Sequence, residues 1–220
     1  MLGAYVFDAY GTLFDVHAAV ARHRAAAGPD ADRLSELWRT KQLEYTWTLT
    51  LAGRYTDFWT LTERALDFAL ARVSSVDRAL RGRLLEAYLT LDTFADARAA
   101  LADLKAKGTR LAILSNGSPR MLAAAVEAAG IGGVLDAVLS VDAIRRYKPR
   151  PEVYALVTDA LATASADVAF VSSNRWDVMG AVSFGFTAFW VNRSRAPNEY
   201  EDFAPLREIP NLGALTMEGR

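Results

Sequence analysis

Asp8 ends the apolar run AYVF, and Thr12 and Asp15 follow it at short range. Ser115 and Asn116 close the run RLAIL, Lys148 lies within RRYKPRPEVY, and Ser172, Ser173, Asn174 and Asp177 follow VAFV. Together these stretches carry carboxylates, an ammonium, hydroxyls and amides. Such groups can hold a metal, attack an electrophile or stabilise a developing charge. Each alone has a plainer explanation. Asp8 could be a metal ligand, a nucleophile or a turn and cap residue, and Ser115 or Ser172 could cap the helix that follows. A single lysine is most often solvated.

Composition removes several alternatives. The chain has no cysteine, which excludes disulfides, zinc-thiolate sites and thiol catalysis. A net charge of −1 gives no basic footprint for a nucleic-acid partner. With 52% apolar and 23% charged residues, the 220-residue chain is ordinary for a globular protein with a sizeable core. It shows no basic-then-apolar leader and no run of membrane-spanning length, so a cytoplasmic protein without membrane contact is the expectation.

The chemical residues need elements to position them. Residues 4–7 (AYVF), 110–114 (RLAIL), 168–171 (VAFV) and 187–191 (TAFWV) read as buried strands, with 134–141 (VLDAVLSV) as a weaker fifth. Helical patterns lie between them. Ala97, Ala100, Leu101 and Leu104 share a face that ends at Gly108. Residues 119–129 begin with proline after Ser118 and stop before Gly130, and Tyr154, Val157 and Leu161 mark another face. This alternation predicts an α/β fold, a Rossmann-like parallel sheet flanked by helices.

Residues 16–91 break the alternation. Leu34, Leu37 and Trp38 share one helix face, as do Phe58, Leu61 and Ala65, and no strand intervenes. The segment reads as an inserted helical cap, with 1–15 and 92–220 forming the catalytic core. Tyr45, Trp47, Leu49, Leu51, Phe58 and Trp59 cannot share one stripe, so the cap must bury more than one side. Either a thick internal bundle or a second subunit would do so. The tail beyond Asn192 is expected to end in a brief helix without chemistry, and His17 and His23 to lie on helix faces.

In an open parallel sheet, ligands bind beyond the carboxyl ends of the strands, near the point where strand order reverses. The polar residues above all fall at such ends. Their convergence, rather than any one of them, argues for an active site.

These residues also carry a resemblance. FDAYGTLFD, LSNG, YKPRPEVY and FVSSNRWD, in this order with a helical insert after the first, resemble the haloacid dehalogenase superfamily. Within it they look like the type II L-2-haloacid dehalogenases. The match spans essentially the whole chain, including LWRTKQLEY in the cap and FGFTAFWVNR near the end. Phosphatases of the superfamily typically carry Asp-x-Asp at the first strand end, and the backbone carbonyl of the second aspartate helps to hold magnesium. Here Tyr10 stands at that second position, and Ser173 stands where the phosphatases place a metal-binding carboxylate. Magnesium needs anchoring carboxylates, and phosphoryl transfer leans on its charge. The departure points away from phosphoryl transfer and towards metal-free substitution at carbon, with no cofactor.

The resemblance then implies roles. Asp8 attacks C2 of a small 2-haloacid, halide leaves, and water hydrolyses the resulting ester. Thr12 holds one Asp8 oxygen, Lys148 supplies the counter-charge to Asp8, and Asp177 pairs with Lys148 and activates water. Ser172 and Asn174 position that water or stabilise the oxyanion, and Tyr154 steadies the same network. Arg39 faces the departing halide with Asn116 and Phe58, while Ser115 and nearby backbone N–H groups take the substrate carboxylate. Ala9, Tyr10, Leu43 and Trp176 line the pocket. A homodimer is expected on the same ground and from the cap aromatics. Two positions depart from the pattern: Thr40, where some relatives carry glutamine, and Arg175, where a small residue is usual and whose side chain is expected to reach solvent. The rival readings are a phosphatase, a hydrolase that uses the Asp8 ester on another carbon–heteroatom bond, and a non-catalytic binder.

Overall fold

The computed structural model describes residues 2–215. The apolar runs become strands where they are predicted: Ala4–Phe7 (β1), Arg110–Ser115 (β2), Ala137–Ser140 (β3), Val168–Ser172 (β4) and Thr187–Val191 (β5). A further strand, Arg207–Ile209 (β6), completes a sheet of order β3-β2-β1-β4-β5-β6 in which every pair is parallel. β1 and β4 are apolar along nearly their whole length because helices cover both faces of the sheet. Fully burying a side chain such as Phe7 or Phe170 contributes about 1.5–3 kcal/mol. Chain order runs outward from β1 through β2 to β3, then returns to β4 on the other side of β1. The β1/β4 boundary is therefore the switch point.

Five α-helices follow β1: Ala18–Ala21 (α1), Arg24–Ala27 (α2), Ala31–Leu51 (α3), Phe58–Arg72 (α4) and Arg81–Leu89 (α5). They form the inserted helical cap. Asp57 caps α4 by accepting the Thr60 N–H at 3.0 Å, and Trp38 Nε1 donates to the Thr62 carbonyl at 2.9 Å, which pins α3 to α4. Ala97–Ala106 (α6), Pro119–Ala129 (α7), Pro151–Leu161 (α8) and Arg175–Phe184 (α9) flank the sheet. α7 starts and stops at the residues the sequence predicts: the Ser118 hydroxyl caps it and Gly130 ends it in the left-handed region.

The cap buries Phe58 and half-buries Tyr45, Trp47, Leu49 and Trp59, but Leu51 at the end of α3 is 88% exposed. The bundle thus absorbs most, not all, of the apolar surplus.

Among the described residues the tail ends in the short 3-10 helix Leu212–Leu215, the brief helix expected, but a strand the sequence did not announce, β6, precedes it. β6 escapes a sequence reading because an edge strand needs only one covered face, here supplied by Ile209, while Glu208 is exposed. Two expectations need correction. Arg175 does not reach solvent. It is 4% exposed, its Nε donates to Asn198 Oδ1 at 2.8 Å, and its Nη2 donates to the carbonyls of Tyr200 and Phe203. The guanidinium stacks near Trp190 and Tyr200 and clamps the tail, and burial lowers its pKa. His17 and His23 sit at the start of α1 and α2 rather than on helix faces, and His17 Nδ1 pairs with Ser35 Oγ at 2.7 Å.

Candidate active site

Register brings the strand ends level. Phe7 lies opposite both Ile113 and Val171, so Asp8 emerges between the ends of β2 and β4. Its N–H donates to the Val171 carbonyl at 2.9 Å and adds one rung to the ladder. The chain then turns sharply. The N–H groups of Thr12, Leu13 and Phe14 converge on the Ala9 carbonyl at 3.2, 2.9 and 3.0 Å, and Gly11 adopts φ +98°, which a side chain would strain. The turn returns the Thr12 hydroxyl to Asp8, where it donates to Oδ2 at 3.0 Å. Asn174, just past β4, donates to the same oxygen at 2.8 Å.

The other Asp8 oxygen faces Lys148. Lys148 Nζ donates to Asp8 Oδ1 at 3.0 Å and to Asp177 Oδ2 at 2.8 Å. The Tyr154 hydroxyl donates to Asp177 Oδ1 at 2.8 Å. Gly180 on α9 makes this approach possible, since a Cβ there would overlap the Tyr154 hydroxyl and Pro149. Lys148 and Asp177 are both fully buried, and Asp8 is 6% exposed. Burial alone would push the Lys148 ammonium down, but Asp177 and Asp8 more than offset it and the pKa is raised. Asp177 is pushed up to about 6, chiefly by burial and further by Asp8, against the opposing pull of Lys148. At neutral pH Asp177 is therefore ionised beside the Lys148 ammonium. Tyr154 stays protonated, its pKa raised well above the usual value by burial and then by Asp177.

Arg39 reaches in from α3. Its Nη2 donates to the Tyr10 carbonyl at 2.9 Å and its Nη1 to Gln42 Oε1 at 2.8 Å. Among the described residues no carboxylate forms an ion pair with it. The Tyr10 ring packs in an aromatic layer with Phe14, Phe58 and Tyr88, at centroid distances of 6.1, 5.9 and 5.7 Å. Gly117 leaves it room, since a Cβ there would lie 2.6 Å from Tyr10 Cε2.

A cavity of 600 Å³ opens on the strand ends, with Gly11, Arg39, Leu43, Asn174 and Trp176 among its walls. Trp176 meets Trp47 edge-on at 5.4 Å, joining core to cap. Asp8, Ala9 and Tyr10, expected at this pocket, are buried beneath it and not among those walls, and neither are Ser115, Asn116 and Phe58. The Ser115 Oγ accepts the Gly117 N–H at 3.0 Å, leaving its own hydrogen to donate. Asn116 Oδ1 accepts the Lys148 N–H at 3.1 Å and so ties β2 to the lysine loop. Ser172 Oγ accepts the Asn174 N–H at 3.1 Å and sets the asparagine that faces Asp8. Thr40 is exposed. A larger cavity, 700 Å³, lies against α7 and β3, but none of the strand-end residues discussed above lines it. The polar convergence, not the volume, marks the site.

Sequence reasoning missed Gln42, Thr62 and Tyr88, which back Arg39 from within the cap. Only Gln42 left a trace in the sequence, its i,i+3 spacing from Arg39 on one helix.

The sheet order, the cap and the aspartate at the first strand end define a haloacid dehalogenase-like hydrolase, and the model of that family matches residues 2–185. The chain belongs to this family. Within it, the chain is 51% identical over 214 residues to (S)-2-haloacid dehalogenase 1 of a Pseudomonas species, strain CBS-3, covering 96% of this chain and 94% of that protein. A crystal structure of a dehalogenase superposes with a TM-score of 0.95 at 46% identity, covering 97% and 95% of the two chains. The L-2-haloacid dehalogenase of Xanthobacter autotrophicus with chloropropionic acid covalently bound superposes with a TM-score of 0.87 at 39% identity, covering 98% and 97%. Among the described residues, no three His, Asp or Glu side chains cluster so as to hold a metal, and no helix is long and apolar enough to cross a membrane.

Proposed function

We propose that this protein hydrolyses short-chain L-2-haloalkanoic acids to D-2-hydroxy acids through an ester on Asp8, without a metal ion. The observation that carries the proposal is the solvation of Asp8 by N–H and O–H donors alone. Thr12 and Asn174 hold Oδ2, and Lys148 holds Oδ1. The Tyr10 carbonyl, which the phosphatase pattern would turn towards magnesium, instead accepts from Arg39. Ser173 stands where a metal-binding carboxylate would be. A cation entering here would meet donors rather than ligands.

In the first step an Asp8 oxygen forms a bond to C2 from the side opposite the halogen. The carbon–halogen bond breaks, the halide departs with the electron pair, and the carbon inverts. Arg39 faces the halide, with Leu43 beside it as an apolar wall that suits a weakly hydrated anion. Ser115 donates to the substrate carboxylate. In the second step Asp177 takes a proton from water as the oxygen attacks the Asp8 side-chain carbon. Thr12 and Asn174 donate to the negative charge that forms on Oδ2. The tetrahedral intermediate collapses by breaking the bond between the Asp8 side-chain carbon and the ester oxygen. The departing alkoxide takes the proton back from Asp177. Asp8 returns to carboxylate as its remaining hydroxyl proton passes to solvent, so the product keeps the former Asp8 oxygen as its hydroxyl. Residues 16–91 act in this scheme as the cap that supplies Arg39. A homodimer belongs to the same proposal: Leu51 and Trp47 line an apolar groove of 430 Å³ beside Trp176, and sedimentation velocity tests whether a second copy closes it.

The test is halide release from each enantiomer of 2-chloropropionate, with and without a chelator, beside p-nitrophenyl phosphate with magnesium. Release from the L form alone, indifferent to chelator, is expected, and Asp8→Asn abolishes it. Magnesium-dependent phosphate release would decide for the phosphatase. In a single turnover in ¹⁸O water, label belongs in Asp8; label found directly in the product hydroxyl would exclude the ester.

A further inference from the structure

The cap cation raises a question that its position alone does not answer: what keeps a half-buried guanidinium both fixed and unneutralised. We infer that Gln42 is the positioning residue for Arg39, and that its being a carboxamide rather than a carboxylate preserves the positive charge for a halide. The inference rests on the assignment of Arg39 to the leaving group proposed above.

The hydrogen-bond directions leave little freedom. The Thr62 hydroxyl donates to the Phe58 carbonyl at 2.7 Å, which commits its only hydrogen. Its lone pair must then accept Gln42 Nε2–H, also at 2.7 Å. That contact fixes which way the amide faces. Oε1 is turned to Arg39 Nη1 at 2.8 Å and to the Tyr88 hydroxyl at 3.1 Å. Gln42 is 1% exposed, and Thr62 and Tyr88 are as deeply buried. Burial keeps the Tyr88 phenol protonated, so it remains a donor. The Tyr88 ring also stacks on Tyr10, whose carbonyl takes the other arm of Arg39. Both anchored arms thus end on neutral acceptors that belong to or touch one aromatic layer. A neutral acceptor fixes geometry without cancelling charge; a carboxylate of the same shape would fix it and cancel it.

The test is ³⁵Cl NMR linewidth of chloride titrated with the wild-type chain, Q42E and T62V, beside kcat/KM for L-2-chloropropionate and the thermal midpoint. Wild type should broaden the chloride line. Q42E should lose chloride affinity by at least about tenfold and kcat/KM by roughly 10²–10³-fold, the scale of one lost charge-stabilising donor, while the Thr62 hydroxyl rotates away from Phe58 to donate to the new carboxylate and so holds the midpoint. T62V unlocks the amide and should weaken chloride binding several-fold, and it carries the test if Q42E fails to fold. Chloride binding retained in both variants, or absent from the wild type, overturns the inference, as does a loss that only tracks a falling midpoint. A wild type that binds chloride but releases no halide would instead defeat the proposed function and leave Gln42's role standing.

Discussion

In the proposed scheme Lys148 and Arg39 are the two cations that act on the chemistry at Asp8, yet their surroundings differ in kind. Lys148 is fully buried and its ammonium is shared between two carboxylates. Arg39 is half-buried and touches a peptide carbonyl and a carboxamide. The core cation is shared between two anions and has little charge left for a ligand. The cap cation is held by neutral acceptors and, in the proposed scheme, keeps its charge for what enters the cavity. On this reading the partner set, more than the charge itself, separates a cation that holds the machinery together from one proposed to act on substrate.

The sharpest way to break this contrast is Lys148→Met. Removing one partner of a buried ion group leaves uncompensated charge and costs about 3–5 kcal/mol. The expected result is a large fall in the denaturation midpoint together with loss of turnover. A stable variant would mean that Asp8 and Asp177 do not depend on the ammonium.

Asp177→Asn should act on one step only. It removes the proposed base and leaves the attack on carbon in place. The expected outcome is a burst of about one halide per active site and an intact-protein mass increased by the acyl adduct. Continued turnover would remove Asp177 from the water step. The wild-type profile sharpens the same point. Asp177 must be ionised to take a proton and its pKa sits at about 6, so kcat should fall as pH drops through that value. Because the shift is upward from the ordinary 3.8, the limb belongs near 6 rather than near 4.

Arg39→Met is the counterpart in the cap. It should lower kcat/KM roughly 10²–10³-fold and move stability by no more than about 1 kcal/mol, since no buried charge is stranded. The loss should grow from iodo to bromo to chloro substrates, as the leaving group needs more help. A Lys148-like collapse of stability would erase the distinction between the two cations.

The same contrast explains what could be read from the chain. The core site was legible because parallel strands announce themselves as apolar runs and the sheet brings their ends to one edge. The register brings Asp8 and the residues after β4 to one edge, whereas the pairing of Lys148 with Asp8 and Asp177 is legible only through the resemblance. Arg39's supports were not legible. Gln42, Thr62 and Tyr88 lie on three different helices and meet through packing, which carries no periodicity of its own. Arg175's inward path is illegible for a related reason. Its acceptors are carbonyls of a tail whose path depends on β6, and three residues with one inward side chain leave too faint a pattern.

The smallest effect should come from Tyr154→Phe, and its sign is informative. The Tyr154 hydroxyl donates to Asp177 Oδ1 and so favours the ionised carboxylate. Without it that oxygen stays buried and loses a donor, at about 1–3 kcal/mol. The fold should survive this, because the ring keeps its contacts with Phe170, Phe184 and Phe186. Losing the donor raises the Asp177 pKa further, so the acidic limb of kcat should move above 6 while kcat at high pH stays within a few-fold of wild type. A limb that moves down, or not at all, would show that the hydroxyl acts only as packing and that Lys148 alone governs the charge on Asp177.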